Sequence, residues 1–263
     1  MQQIQHKRKI RLSGKEASIL ATKIVTASGK GGVGKSTICK GLGIALAESG
    51  FRALLVDCDA GLSSLDIMLG VTESVNFSWH DIILEQCEPG DALIEISENL
   101  SLLPSPSSVL YDISDEDFKA AIECFDESFD FIILDAPAGI GTGLKRASAA
   151  ATKSLVVATA DEVSVKGAAK VAKTLSDTGI NENRLIINRY DLKAAKKGKL
   201  LTIDDIIDKT VVQLIGIIPE EKNILYSTVS EKKLKTKRSD NAFLRVAGRI
   251  SGHNVDLNIS QLK

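Results

Sequence analysis

The sequence predicts an α/β fold in which a mostly parallel sheet is covered by helices on both faces. Short apolar runs recur along the chain, and segments with helical spacing of apolar residues lie between several of them. The runs are continuously apolar, which is typical of strands that are buried on both faces. Parallel sheets bind ligands beyond the carboxyl ends of their strands, so we expect the functional residues in the loops that follow the strands.

The elements can be placed in chain order. The first predicted strand, Ile24 to Ala27, runs into a glycine-rich loop, and a helical pattern follows from Ile38. The later strand candidates are Ala53 to Val56, Leu100 to Leu103, Phe131 to Leu134, Leu155 to Ala158, Leu185 to Ile187 and Leu214 to Ile218. Further helices are predicted over Ser114 to Glu127, Val163 to Ser176 and Asn241 to Ile250. The last of these has one apolar face, which predicts a helix packed on the domain.

Composition is typical of a single cytoplasmic domain. The 263 residues are 44% hydrophobic, which is enough for a large core. A formal net charge of −1 argues against bulk attraction to nucleic acid or membrane, so any such contact needs a local patch. The four cysteines form no C-x-x-C pair and no zinc-type spacing, which indicates reduced thiols. The sequence shows neither a spanning apolar run nor an apolar signal core.

We expect one domain over residues 23–251, with an extension before it and a tail after it. Residues 1–22 carry five basic side chains and no acid before Glu16, which predicts a flexible, solvated arm. Contact of this arm with anionic lipid or nucleic acid is the alternative. Residues 252–263 alternate apolar and polar residues like a strand and form a poor interfacial helix.

The glycine-rich loop is a phosphate-binding motif. Gly29 to Ser36 reads Gly-x-x-x-x-Gly-Lys-Ser between a strand and a helix, which makes the predicted fold a three-layer P-loop NTPase. Backbone N–H groups of the loop surround phosphates, Lys35 reaches the β and γ oxygens, and the Ser36 hydroxyl can ligate Mg²⁺. The predicted nucleotide-binding residues here are Gly31, Gly32, Val33, Gly34, Lys35, Ser36 and Thr37.

Carboxylates follow two of the predicted strands. Asp57 and Asp59 come directly after the second strand, and Asp135 follows Phe131 to Leu134. A single aspartate at the end of an apolar strand is typical of the carboxylate that holds Mg²⁺ in P-loop enzymes, commonly through water. Gly139 lies where a backbone N–H can approach the γ-phosphate.

At Lys30 the sequence resembles the ParA/MinD family of P-loop ATPases, which carries a deviant Walker A motif. The family pattern is Lys-Gly-Gly-x-x-Lys-[Ser/Thr], and here it runs from Lys30 to Ser36. The resemblance implies that Lys30 reaches across a two-fold axis to the ATP of the other subunit. A cation supplied in trans offsets the charge of two facing phosphate sites. We therefore expect a homodimer that forms with ATP.

The same resemblance assigns the remaining site residues. It implies that Asp59, in switch I, positions the attacking water and that Asp57 lies with Ser36 and Asp135 near Mg²⁺. Asn188 matches the asparagine that pairs with the adenine edge, an amide that offers both a donor and an acceptor. Arg189 and Pro219 are the other predicted base-side residues, since Leu214 to Glu220 resembles the segment that closes the adenine pocket.

Within the family, the best local matches are to the MinD branch, through Asp57 to Asp66, Pro137 to Ile140 and Ile218 to Glu220. At Ala136 the chain departs from the serine usual in that branch. The implied function is a slow, Mg²⁺-dependent ATPase that cycles on and off a surface, as in placement of the division septum. Its implied contacts are the inner face of the membrane and a regulatory protein.

Three other functions can be compared with this one. The lysines of residues 193–199 and 232–238 would allow ParA-like DNA binding, although such runs are usually solvated. A flagellar-number type of relative would act through a soluble protein partner. An iron–sulfur role would need a cysteine pair at the dimer axis, and the sequence has none. Trp79 and His80 fit packing better than catalysis.

Overall fold

The computed structural model describes residues 20–61, 63–107, 113–221 and 237–257. The strands in these ranges are β1 (Thr22–Ala27), β2 (Ala53–Asp57), β3 (Ile94–Ser97), β4 (Leu100–Leu103), β5 (Phe131–Asp135), β6 (Lys153–Ala158), β7 (Glu182–Tyr190) and β8 (Gln213–Pro219). The helices are α1 (Lys35–Glu48), α2 (Leu65–Leu69), α3 (Trp79–Ile83), α4 (Asp115–Glu123), α5 (Thr142–Ala149), α6 (Glu162–Asp177), α7 (Leu192–Lys196), α8 (Ile203–Thr210) and α9 (Lys237–Ile250). Short 3₁₀ turns span Thr72–Ser74 and Pro89–Ala92.

The eight strands form one sheet in the order β3-β4-β2-β5-β1-β6-β7-β8. Every neighbouring pair is parallel except β3 with β4, so the predicted mostly parallel sheet is confirmed. The P-loop strand β1 lies between β5 and β6, and β2 pairs with the other side of β5. Because β2 and β5 are in register, Asp57 and Asp135 lie opposite each other at the carboxyl ends of their strands.

Two apolar clusters on opposite faces of the sheet give the fold three layers. One cluster joins the sheet to α3, α4, α5, α6 and α8, and the other joins it to α1, α2 and α9. Phe243 and Val246 of α9 are buried in the second cluster, which confirms the predicted packing helix. A Cβ at Gly41 would lie 2.4 Å from Phe243 Cζ, so the small residue is what lets α9 approach α1.

Several sequence-based boundaries were wrong. The helix predicted over Ser114 to Glu127 ends at Glu123. The edge strand β3 was missed because its alternation of half-buried and exposed residues gives only a short, weak signal. The lysine-rich segment after β7, predicted as a loop, contains α7, whose first N–H groups are capped by Asp191.

The tail predicted to alternate like a strand has no strand in residues 251–257, and residues 258–263 lie outside the described ranges. Arg249 explains its course, because the guanidinium donates to the carbonyl oxygens of Ile215, Val255 and Asp256 at 2.7, 2.7 and 2.6 Å. These hydrogen bonds use the backbone acceptors that a strand ladder would need.

The predicted N-terminal arm lies almost entirely outside the described residues, which start at Leu20, and the lysines of residues 232–236 also lie outside them. The four cysteines are free thiols, with Cys39 and Cys58 buried, Cys87 half-buried and Cys124 exposed. Trp79 and His80 are buried, as their packing assignment predicted. Within the described ranges, none of the helices is long and apolar enough to cross a bilayer.

Val211, directly after α8, holds a left-handed backbone with φ of +55° and is 88% exposed. A β-branched residue is strained in this region by about 1–2 kcal/mol. We expect Val211→Gly to raise the free energy of unfolding by up to about 1 kcal/mol, after the greater entropy of glycine in the unfolded chain is subtracted. Urea denaturation measures the change. The matched opposite is Gly179→Ala after α6, where φ is +95° in open space, and stability there should fall by about 1 kcal/mol.

Candidate functional site

The loop between β1 and α1 is shaped by glycines with left-handed backbones. Gly32 has φ of +76° and Gly34 has φ of +90°, conformations that cost other residues free energy. A Cβ on Gly34 would lie 2.3 Å from Asn188 Nδ2, so this glycine is also required by close packing. A glycine-rich turn that leads into a helix is the arrangement in which successive backbone N–H groups bind phosphate.

The base of the loop is held against α6. A Cβ on Gly29 would lie 2.3 Å from the carbonyl carbon of Gly167, and a Cβ on Gly167 would lie 3.2 Å from Gly29. Gly167 was not identified from the sequence, because a glycine inside a helical pattern does not reveal which backbone it faces. The contact fixes how closely α6 packs against the phosphate loop.

Lys35 and Asp135 form a buried ion pair under the loop. Lys35 Nζ lies 2.6 Å from Asp135 Oδ1, and the two side chains are 9% and 1% exposed. Burial opposes the ammonium charge, but the Asp135 carboxylate outweighs it and raises the pKa of Lys35. The lysine therefore stays charged at neutral pH, in the position where a phosphate can compete for it.

The second carboxylate oxygen of Asp135 has no hydrogen-bond partner, although it is buried. A buried acceptor without a partner is costly, which marks a place where a ligand or cation completes the structure. Ser36 follows Lys35 as the second residue of α1 and supplies a hydroxyl oxygen. Oxygen donors of this kind suit Mg²⁺ with a partial water shell, so the residues present fit that ion. Among the described side chains, no cluster of three or more His, Cys, Asp or Glu forms a ready metal cage.

Asp57 acts in this structure as an anchor for the loop that follows β2. Its Oδ1 accepts the Asp59 N–H at 3.0 Å, and its Oδ2 accepts the N–H groups of Ser64 and Leu65 at 2.9 and 3.1 Å. Burial raises the pKa of Asp57 to about 6, against the effect of these hydrogen bonds, and Asp135 adds to the rise. If Asp57 contacts Mg²⁺ as predicted, it must do so through a lone pair that these backbone hydrogen bonds leave free.

Asp59 projects from the same loop and is half-buried. Burial raises the pKa of its carboxyl, while Lys35 lowers it and so lies within electrostatic reach. The Asp57 hydrogen bond to its N–H fixes the backbone of Asp59 beside the Lys35 and Asp135 pair. This position agrees with the predicted water-orienting role, which stays a prediction.

Gly139 follows β5 with φ of +95°, and its N–H donates to the Ser28 carbonyl at 2.8 Å. The predicted contact of this N–H with a γ-phosphate therefore requires the peptide to turn away from Ser28. Nothing lies within 4 Å of a Cβ built on Gly139, which leaves room for that movement. The predicted approach of Gly139 to a γ-phosphate is consistent with this geometry and stays a prediction.

The base-side residues meet the phosphate loop from the end of β7. Asn188 is buried, and its Nδ2 donates to the Val33 carbonyl at 2.8 Å. Arg189 has φ of +52°, and its guanidinium donates to the Gly32 carbonyl. Pro219 is buried at the end of β8 and pairs in register with Tyr190. The structure thus places the residues predicted to bind adenine, Asn188 and Arg189, against the phosphate loop. The sequence did not indicate these contacts.

Lys30 lies on the open side of the loop. Its Nζ is 3.8 Å from Asp161 Oδ1, and the two side chains are 51% and 42% exposed. An exposed pair at this distance is weak, so Lys30 is available to a partner. Asp161 caps the start of α6 by accepting the Ser164 N–H at 3.0 Å, and its hydrogen bonds, with Lys30, outweigh burial and lower its pKa.

Two residues outside the predicted set also join the site. Trp79 Nε1 donates to the Asp57 carbonyl at 2.9 Å, and the Ser64 hydroxyl donates to Ser36 Oγ at 3.1 Å. The packing role predicted for Trp79 is confirmed, but the sequence did not indicate that Trp79 supports Asp57. Ser64 lay inside a recognised motif without a role of its own.

Known proteins are similar to this one over nearly the whole chain as well as at these motifs. A family model described as an AAA domain matches residues 21–188. The septum site-determining protein MinD of Synechocystis sp. is 35% identical over 241 residues, which cover 88% of this chain and 90% of that protein. The MinC:MinD cell division protein complex of Aquifex aeolicus aligns at 31% identity with a TM-score of 0.81, over 90% of this chain and 99% of that one. The MinD of Pyrococcus horikoshii complexed with Mg-ADP aligns at 25% identity with a TM-score of 0.74, over 89% and 97%.

Proposed function

The chain belongs to the MinD family of septum site-determining proteins, P-loop ATPases that act in division-site placement, and from that premise we propose how its residues bind ATP and couple it to dimerisation. The observation that carries the proposal is the buried pair of Lys35 and Asp135 beneath the glycine loop. With nucleotide bound, Lys35 would turn its ammonium to the phosphates, and Asp135 would then turn its carboxylate to the cation that accompanies them. Nucleotide and cation then satisfy both groups together.

The cation proposed for this site is Mg²⁺, which supplies charge neutralisation to the β and γ phosphates when bound. Ser36 Oγ and the unpartnered oxygen of Asp135 would hold it, directly or through water. The homologous Pyrococcus horikoshii protein carries Mg-ADP, which supports the pairing of nucleotide and metal. Asp57 stabilises the neighbouring loop and would contribute to the ion site only through the lone pair that its backbone hydrogen bonds leave.

The base of ATP is proposed to bind between Asn188 and the end of β8. The Asn188 amide donates one N–H to the Val33 carbonyl. Its second N–H and its carbonyl oxygen would then bind the adenine edge. Pro219 and Arg189 border this place, and Arg189 also holds the loop through Gly32. Base and phosphate recognition are therefore linked through one strand end.

Hydrolysis is assigned to Asp59 and the two lysines. Asp59 orients and polarises the attacking water, Lys35 stabilises charge on the transferred phosphoryl group, and Lys30 of a second copy approaches it from across the interface. Because this constellation is complete only when two chains meet, turnover and dimer lifetime depend on each other. We place this ATPase domain at residues 23–251.

Lys30→Ala is expected to keep ATP binding within about threefold of wild type and to weaken ATP-dependent dimerisation by roughly tenfold or more. The side chain is half exposed and its contact with Asp161 is weak, so its loss should not unfold the loop. Light scattering at several protein concentrations, with ATP and Mg²⁺, measures the dimer. Lys145→Ala is the matched control, since Lys145 is also exposed and paired with an aspartate at 3.5 Å but lies on α5. An unchanged dimer of the Lys30 variant would contradict the trans role.

The partners proposed are a second copy of this chain, a regulatory protein and the inner face of the membrane. The structure of the MinC:MinD complex supports a protein partner of the MinC kind. Wild-type protein tests the function as a whole: ATP with Mg²⁺ should give a dimer and slow phosphate release, and ADP should give a monomer. A protein that stays monomeric and releases no phosphate would overturn the proposal.

A further inference from the structure

We propose that Ser64 is a positioning residue for the metal side of the ATP site, acting through the hydroxyl of Ser36. The inference rests on the Mg²⁺ and ATP site proposed above and deepens it. The hydroxyl of Ser64 donates to Ser36 Oγ at 3.1 Å, which joins the loop after β2 directly to the phosphate loop. Ser36 belongs to the phosphate motif, whereas Ser64 lies 28 residues away along the chain.

The N-cap position of Ser64 explains why its hydroxyl is available. Ser64 precedes α2, and a serine at this position ordinarily accepts an N–H of the first helical turn. Here the Ser64 side chain makes no capping hydrogen bond. Asp57 Oδ2 instead accepts the N–H groups of Ser64 and Leu65 at 2.9 and 3.1 Å. A carboxylate from β2 thus takes over the capping, and the serine hydroxyl turns to Ser36.

The effect on Ser36 follows from the hydrogen-bonding capacity of a hydroxyl. Oγ carries one hydrogen and two lone pairs, and the side chain has three staggered rotamers. The hydrogen bond from Ser64 uses one lone pair and selects one rotamer. The second lone pair is then held in a fixed direction and is left for the cation, which is proposed to bind Ser36 together with the unpartnered oxygen of Asp135. Without Ser64, Ser36 must give up rotational freedom when the ion binds.

The backbone of Ser64 is itself held from the core. Asp57 is buried, lies opposite Asp135 in register, and its carbonyl accepts the indole N–H of Trp79 at 2.9 Å. The chain from Trp79 through Asp57 and Ser64 to Ser36 is therefore continuous. Trp79 is the single tryptophan of the sequence, so its fluorescence reports on this series of hydrogen bonds without interference from another indole.

The test compares affinities for a fluorescent ATP analogue in Mg²⁺ and in EDTA, using the full chain. For Ser64→Ala we expect the affinity in Mg²⁺ to fall roughly tenfold, as for removal of other partners that orient metal ligands. The affinity in EDTA should stay within about twofold, because the phosphate and base contacts remain. Ser64→Thr keeps a hydroxyl and should restore most of the Mg²⁺ effect. In the wild type we expect binding of Mg²⁺ with nucleotide to change Trp79 emission through these hydrogen bonds, and this change should be lost in the alanine variant and kept in the threonine variant.

Ser63→Ala is the matched control. Its hydroxyl lies 3.0 Å from Ser105 Oγ and so joins the same loop to a different neighbour. This variant should keep the wild-type ratio of affinities in Mg²⁺ and EDTA. Equal losses in both serine variants, or a wild-type ratio in Ser64→Ala, would overturn the positioning role while the ATP site stands. Wild-type protein that binds the analogue in neither condition would overturn the proposed function together with this inference.

Discussion

Lys35→Ala protein is expected to lose ATP binding by more than about a hundredfold, because a phosphate without its buried ammonium loses a charge-assisted contact in a low-dielectric site. Isothermal titration with ATP and Mg²⁺ measures the loss. The same change leaves the Asp135 carboxylate buried and without a partner. Removing one member of a buried pair costs about 3–5 kcal/mol, so urea denaturation should also show a large loss of stability.

The structure supplies a control that separates these two effects. Lys23 Nζ lies 2.6 Å from Asp126 Oδ2, and the two side chains are 9% and 10% exposed, so the pair matches Lys35 and Asp135 in geometry and burial. It lies at the start of β1, at the opposite end from the phosphate loop. Lys23→Ala should lose comparable stability and still bind ATP in its folded fraction. If both variants lost ATP binding equally at a temperature where each is folded, Lys35 would have only a structural role.

Asp59→Ala is expected to reduce phosphate release by at least about a hundredfold and to accumulate the ATP-bound dimer. The carboxylate that orients the attacking water is lost, while Lys35, Ser36 and Asp135 keep their contacts. The backbone should hold, because Asp57 binds the N–H of residue 59 rather than its side chain. Phosphate release and light scattering on the same sample measure the two effects.

Asp59→Asn controls for shape, since it keeps the size of the side chain but removes its negative charge and its ability to accept a proton. It should behave like the alanine variant. A monomeric Asp59→Ala protein with ATP would contradict the switch. The trapped dimer also decides where the protein acts: sedimentation with anionic liposomes in ATP but not ADP would place it at a membrane surface. Absence of sedimentation would direct the search to DNA or a protein partner.

Much of the fold could be predicted because its signals are local. The glycine loop between Ala27 and Ile38, the buried strands and the aspartates that end them are each visible within about ten consecutive residues. The predicted strands all exist, and most were too short by one or two residues because flanking polar residues such as Asp57 continue the ladder. The weak points were the edge strand β3, whose alternation is short, and the tail, whose carbonyl oxygens accept hydrogen bonds from Arg249 where a strand ladder was expected.

The site divides in the same way. The sequence by itself indicated the chemistry of the phosphate loop, since residue type and spacing encode that motif, and the resemblance to the ParA/MinD family predicted that Lys30, Asp59 and Asp135 join Lys35 in one constellation. Only the tertiary structure decided which groups those side chains meet, because parallel strands bring together residues that are far apart in the chain. The pairing of Lys35 with Asp135 spans 100 residues, and that of Asn188 with Val33 spans 155. The contact of Ser64 with Ser36 belongs to the same class: no spacing rule predicts it, since it exists because Asp57 caps α2 from another element.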